Sequence, residues 1–328
     1  MRGMGRRFIP VLRMGIGLGL LAYLGFSGTI DWGSLIGLAR GWPLALVSLG
    51  LLFIATCIAS WRVCLLMRPH DLYLSLTASM KLMLIGYFFN TCLPGATGGD
   101  VIRIYYATGG NRGRRLEIVT IFLFDRLIGL CGLLLLPLFL APFFRPLLIA
   151  VPGLRNLIWI TGVAAAVALS IVWLCTYGQR FCRHIIDWVL GKLPQGQYVA
   201  RMLDTLSLYR SHMATLSVTI GLSVVVHICV MLGSLFIAQV TTTTGARETM
   251  ALLIPLGFVA NGLPLTPGGL GVGEAAFDQL FQLVGLTGGA IVILGWRMLM
   301  FILGLPGLAF YIFAKKQIVV PQPSVSFP

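Results

Sequence analysis

Eight stretches of mostly apolar sequence recur along this chain, at 11–30, 43–65, 72–99, 116–143, 155–177, 214–240, 250–285 and 287–314. A helix needs about 20 such residues to cross a hydrocarbon core roughly 30 Å thick. Within lipid the backbone must satisfy its own hydrogen bonds, which confines such segments to helices. Composition agrees. Of the 328 residues 58% are hydrophobic and 10% are charged, against about 25% charged in a soluble globular protein. A secreted enzyme, a nucleic-acid-binding domain and a disordered chain are excluded. The fold class is an all-α polytopic membrane protein.

The formal net charge of +14, from 24 Lys+Arg against 10 Asp+Glu, reads as topology, because basic residues collect in cytoplasmic loops. If all eight segments cross, 11 basic residues fall inside and 10 outside, which is no bias. Two segments, 72–99 and 250–285, are interrupted by Pro and Gly. If each of these enters and leaves on one side, 17 basic residues lie inside. Four lie outside (Arg40, Arg145, Arg155 and Arg247), and Lys81, Arg126 and Arg297 stay within membrane segments. The second arrangement gives the expected bias. It predicts six spanning helices plus two re-entrant broken-helix hairpins, with both termini cytoplasmic. Arg2, Arg6 and Arg7 precede the first apolar run and no A-x-A-like cleavage site follows, so the first helix is expected to stay uncleaved.

In this topology the order span, span, hairpin, span occurs twice with opposite orientation. That is an inverted repeat, an organisation found in many secondary transporters. The chain then reads as a single membrane domain over 1–328. Residues 1–145 form the first repeat, and 146–177 with 214–314 form the second. Residues 178–213 form a cytoplasmic amphipathic linker and 315–328 a short tail. In the linker Phe181, Ile185, Val189 and Leu193 recur at helical spacing opposite Arg180, Arg183 and Asp187. Pro194-Gln195-Gly196 breaks this helix, and a second is expected from about 198 to 211. A sequence match supports the repeat. Asn90 precedes Leu93-Pro94, three residues and then Gly98-Gly99, while Asn261 precedes Leu263-Pro264, three residues and then Gly268-Gly269. The Leu-Pro offset is 170 residues, about half the chain.

Broken backbone in a bilayer is tolerated only inside protein or against a water-filled cavity. A helix restarting after each break would aim free N–H groups and a positive dipole end into that cavity, a setting that suits an anion. Asp100 and Glu274 fall at these restarts, where an acid can also serve as a cap. The charges at membrane depth are Lys81, Asp100, Arg103, Asp125, Arg126, Glu274, Asp278 and Arg297. Each costs about 2.5 kcal/mol or more in lipid and is expected to find a partner. The pairs expected are Arg126 with Glu274 or Asp100, and Asp125 with Arg297 or Arg103. Arg103, Arg126 and Arg297 are the expected phosphate contacts. The seven Cys include no CxxC pair and read as small buried hydrophobes, and His227 reads as a hydrogen-bonded packing residue. No metal site, cofactor motif, phosphate-binding G-x-x-x-x-G-K-[ST], H-E-x-x-H or G-x-S-x-G occurs.

The motifs Asn90…Leu93-Pro94…Gly98-Gly99-Asp100-x-x-Arg103, Asp125-Arg126-Leu127-x-Gly129, Pro267-Gly268-Gly269-Leu270-Gly271-x-x-Glu274 and Arg297, taken in order, resemble the flippase-like membrane domain of lysylphosphatidylglycerol synthases. The resemblance runs from about residue 10 to 315 and does not extend to a synthase domain. It implies a lipid flippase or transporter that moves a phosphate-bearing lipid, aminoacylated or polyprenyl among the candidates, through a central polar cavity. The substrate-binding residues expected on this ground are Asn90, Pro94, Gly98, Gly99, Asp100, Arg103, Asp125, Arg126, Asn261, Pro264, Gly268, Gly269, Glu274 and Arg297. The partner expected is a membrane lipid with an anionic headgroup, not nucleic acid, and a second copy of the chain is a further candidate. The alternatives are an integral-membrane transferase acting on a polyprenyl or phospholipid substrate, and an accessory subunit of a lipid-modifying complex. The outer loops offer a transferase only Asp31 and Glu248 as acids, so no enzymatic activity is expected.

Overall fold

The structure, a computed structural model, describes residues 41–92, 98–109, 112–191, 196–241, 247–262 and 272–313. The expected first helix at 11–30 and the tail at 315–328 lie outside the described residues. All regular structure among the described residues is helical. In chain order the helices are α1 (Trp42–Met67), α2 (Leu76–Cys92), α3 (Gly98–Thr108), α4 (Arg115–Leu140), the short α5 (Arg145–Ala150), α6 (Pro152–Gly191), α7 (Gly196–Ser207), α8 (Met213–Thr241), α9 (Arg247–Asn261), α10 (Val272–Gln282) and α11 (Gly289–Phe313). Proline punctuates them where its missing N–H is least costly, with Pro69 and Pro142 in the first turn of 3-10 helices, Pro146 in that of α5, and Pro152 opening α6. The turn between α10 and α11 uses Gly285 and Gly288 at φ 74 and 85, conformations that side chains disfavour.

Five regions of the described chain are long and apolar enough to cross a membrane: Trp42–His70, Arg115–Ala150, Pro152–Gly178, Gly196–Val240 and Gly289–Phe313. They coincide with five of the six spans read from sequence. The two Pro-Gly segments are different. Each is a pair of short helices, α2 with α3 and α9 with α10, of 17, 11, 15 and 11 residues. At 1.5 Å per residue these are about 25, 17, 22 and 17 Å long, so no single one reaches across a core of roughly 30 Å. One expectation is corrected. The fifth span ends at Gly178, close to the expected 177, but no separate amphipathic helix follows, because α6 runs unbroken for 40 residues to Gly191. At about 60 Å it is twice the thickness of the core. Large apolar side chains stand exposed along its spanning part, among them Trp159 at 71% and Val163 at 64%. Such a surface suits lipid contact.

The described residues form two compact units, each drawing on both halves of the chain. The first takes its described residues from 41–54, 80–92, 98–103, 229–241, 247–262 and 272–313. Its core joins Leu52 of α1, Leu84 of α2, Ile237 of α8 and Met298, Leu299 and Leu303 of α11. A second cluster sets Ile85, Phe88 and Phe89 of α2 against Phe301, Leu308 and Tyr311 of α11. Lipid is as apolar as these side chains, so close backbone packing and polar contacts must hold such helices together. Gly304 and Gly307 supply that packing. A Cβ at Gly307 would lie 2.1 Å from the Leu84 carbonyl oxygen, and one at Gly304 would lie 2.9 Å from the Phe88 nitrogen. Ser48 adds a hydrogen bond from α1 to the Gly233 carbonyl of α8, at 2.9 Å.

The second unit takes its described residues from 55–79 and 104–228. It is pinned by polar contacts. Arg62 Nε donates to Asp125 Oδ1 at 2.8 Å, and Arg62 Nη1 donates to Ser223 Oγ at 3.0 Å. His227 Nε2 lies 3.0 Å from the Gly129 carbonyl. At one end, Glu117 joins His70 Nδ1 at 3.0 Å to Arg114 Nε at 2.6 Å, and this bond raises the Arg114 pKa above its ordinary value. The buried Tyr209 ring stacks on Phe124 and meets His70 edge-on.

Candidate functional site

The first unit carries two similar polar constellations, one at each broken helix pair. In the first, α2 ends shortly after Asn90 and α3 begins at Gly98. Asn90 Oδ1 accepts the Gly99 backbone N–H at 2.8 Å, so the side chain satisfies one of the free donors that open a helix. Gly99 is close to the α2 backbone, where a Cβ would lie 2.0 Å from the Gly86 carbonyl oxygen. Asp100 sits in the first turn of α3 and accepts from Arg103 Nη1 at 3.1 Å. The Arg103 stem lies over Gly86, whose Cβ would fall 2.5 Å from Arg103 Cδ. Both side chains are withdrawn from the surface, at 10% and 14% exposure.

The second constellation repeats these parts. Asn261 ends α9, and Gly273 and Glu274 stand in the first turn of α10. A Cβ at Gly273 would lie 2.2 Å from Asn261 Oδ1, as one at Gly99 would meet Asn90. Gly257 stands one turn before Asn261, as Gly86 stands before Asn90. The groove over Gly257 is filled by the Phe277 ring, three residues after the acid, in the place that Arg103 takes in the first copy. The cation therefore comes from elsewhere. Arg297 of α11 donates from Nη2 to Asn261 Oδ1 at 3.1 Å and sets Nε 3.5 Å from Glu274 Oε1. Phe258, Phe277 and Trp296 pack edge-on beside it.

Asn90, Gly99, Asp100 and Arg103 of the expected set thus come together with Gly98 at the head of α3, and Asn261, Glu274 and Arg297 come together at the head of α10. Pro94, Pro264, Gly268 and Gly269 lie outside the described residues. Asp125 and Arg126 belong to the other unit. The pairing expected for Asp125 is corrected. The partner of Asp125 is Arg62, not Arg103 or Arg297, while Asp100 pairs with Arg103 and Glu274 with Arg297. Arg126 follows Asp125 on α4 and projects about 100° round the helix from it.

Four participants escaped the sequence reading. Arg62 was counted with the loop cations, although it lies within the apolar run 43–65 that became α1. Gly86, Gly257 and Gly273 carried a signal in the shared spacing Gly-x-x-x-Asn of 86–90 and 257–261. Gly273 fills the role of Gly99 against the asparagine. Among the described residues no group of three His, Cys, Asp or Glu could hold a metal ion.

The fold and these sites define a multi-pass helical membrane protein with paired charges buried at broken helices. Residues 11–307 match the family described as the lysylphosphatidylglycerol synthase TM region, and the chain belongs to that family. No curated protein and no solved structure matches the chain.

Proposed function

We propose that this protein carries a phosphate-bearing lipid from one leaflet to the other. The headgroup passes through the polar part of the first unit while the acyl chains stay in the bilayer. The observation that carries this reading is the duplicated constellation of Asn, Gly, acid and Arg at the broken helix pairs of a membrane protein of this family. Two Arg–acid pairs withdrawn into an apolar unit are expensive unless they serve a polar passenger. A guanidinium presents a planar fork that matches phosphate oxygens, and Arg103 and Arg297 are the groups to receive them. Membership in the family points toward membrane lipid and supports a lipid as the passenger.

The topology that goes with this function is six spans and two re-entrant hairpins related by an inverted repeat, with both termini in the cytoplasm of a bacterial cell. The transporter reading needs no catalytic role for the chain itself. The test is transport of a fluorescent phosphatidylglycerol in proteoliposomes. Arg297→Gln and Arg103→Gln should each slow headgroup exposure by about 10-fold or more, since a hydrogen bond to a charged group contributes roughly 1.5–3 kcal/mol. Both variants must remain monodisperse in detergent. Normal transport by both would remove these residues from the site.

A further inference from the structure

Of the charges that the sequence sets at membrane depth, Lys81 takes no part in either constellation. It lies on α2, at the seam that this helix makes with α11. The seam runs antiparallel, since Lys81 meets Phe310, Leu84 faces Gly307 and Phe88 faces Gly304. The start of α2 and the end of α11 therefore lie at one level. α2 begins five residues before Lys81, and α11 ends three residues after Phe310, about 8 and 5 Å along the two axes. The pair stands close to the end of a spanning helix, at the level of lipid headgroups.

We propose that Lys81 and the adjoining face of α11 hold one anionic phospholipid, with its phosphate on the Lys81 ammonium and an acyl chain along Phe310, Pro306 and Ile302. The ammonium sits 5.6 Å from the centre of the Phe310 ring, within cation–π range. An aromatic face attracts a cation without neutralising it, and neither α2 nor α11 carries an acid that would. The charge is left to be matched from outside. Lys81 is exposed, and so are Ile302, Pro306, Phe310 and Phe313 on α11. These four fall within about 80° of one another round the helix. They form an apolar track that begins beside the cation and rises about 12 Å from Phe310 to Ile302. A zwitterionic headgroup brings its own ammonium and no net counter-charge, whereas a phosphatidylglycerol brings one negative charge. The site lies apart from the two constellations and goes beyond the transport reading.

The experiment uses the full chain in vesicles of equal parts dioleoyl phosphatidylglycerol and dioleoyl phosphatidylcholine. The photoreactive residue p-benzoylphenylalanine is introduced at Phe313, beside the site, or at Val163, exposed on α6, to report bulk lipid. Mass spectrometry after illumination gives the ratio of the two lipids joined to each position. One cation near the surface favours an anionic lipid by about fivefold. The proportion of phosphatidylglycerol at 313 should exceed that at 163 by this factor. Lys81→Arg should keep the excess and Lys81→Gln should remove it. Arg103→Gln and Arg297→Gln should leave it in place, which separates this site from the passage of headgroups. Raising the salt to about 1 M should shrink the excess in the unaltered Lys81 protein, a readout that needs no change at the site. A lysine that only reaches for water at a helix end gives the same ratio at both positions. That result, or an excess that survives Lys81→Gln, overturns the site.

Discussion

Gly99 has no room for a side chain, since a Cβ would lie 2.0 Å from the Gly86 carbonyl oxygen, an atom of helix backbone. Gly99→Ala therefore forces α2 and α3 apart, at a cost on the order of 1–3 kcal/mol. It should lower the unfolding temperature in detergent. Gly221→Ala on α8 meets nothing within 4 Å and should leave that temperature unchanged or slightly higher. The Arg62–Asp125 pair makes a different demand. Its side chains are 7% and 4% exposed, so Asp125→Asn or Arg62→Met alone strands a buried charge or dipole, for about 3–5 kcal/mol. The double variant Arg62→Met/Asp125→Met should recover most of that loss in a thermal-unfolding cycle. Damage equal to the sum of the single variants would show that the pairing is not the cause. These residues also mark what was legible. Asp100, Arg103, Glu274 and Arg297 stood out as charges in apolar sequence, because lipid makes such charges conspicuous. The pairing of Glu274 with Arg297 did not, because a partner on another helix is set by packing that one helical period cannot reveal. Arg62 was hidden by its place near the end of a span, where a buried cation and a loop cation look alike.

At the scale of the helix, the α2–α11 contact depends on two small residues. Gly307→Val would drive a branched side chain against the Leu84 carbonyl, 2.1 Å from the Cβ position, and loosen the packing of Phe88 and Phe89 on α11. The expected result is a lower unfolding temperature in detergent and slower lipid transport. Gly50→Ala on α1, with nothing within 4 Å, should change neither. The long spans were readable because twenty apolar residues in a row have few other folds. The breaks in the two hairpin segments were readable because Pro and Gly stop a helix by known backbone chemistry. The end of α6 was not. A lone Gly178 in a helix costs only about 1 kcal/mol relative to Ala. The change from an apolar to an amphipathic pattern marks a change of surroundings, not of backbone, so one helix runs through both.

At the scale of the whole molecule, charge and topology make the same demand. The inverted arrangement holds 17 of 24 basic residues on the cytoplasmic side, whereas eight full crossings divide them 11 to 10. Two sites report opposite sides in the two schemes. Gly113 is exposed with open space around it, among Arg112, Arg114 and Arg115, and Glu248 is exposed at the start of α9. With two re-entrant hairpins Gly113 faces the cytoplasm and Glu248 the outside, and with eight crossings the positions are exchanged. In a variant lacking the seven native cysteines, an impermeant maleimide added outside intact cells should label Glu248→Cys and spare Gly113→Cys. Inside-out vesicles should give the reverse. Each hairpin that spans instead of returning moves every loop that follows it to the opposite side, up to the second hairpin. The two labels therefore read the fate of the first hairpin twice, from different ends of the chain. Labelling of Gly113→Cys from outside would show that 72–99 crosses the membrane. If 250–285 crossed as well, the two Arg–acid constellations would approach the passenger from the same direction, and alternation between leaflets would need another geometry.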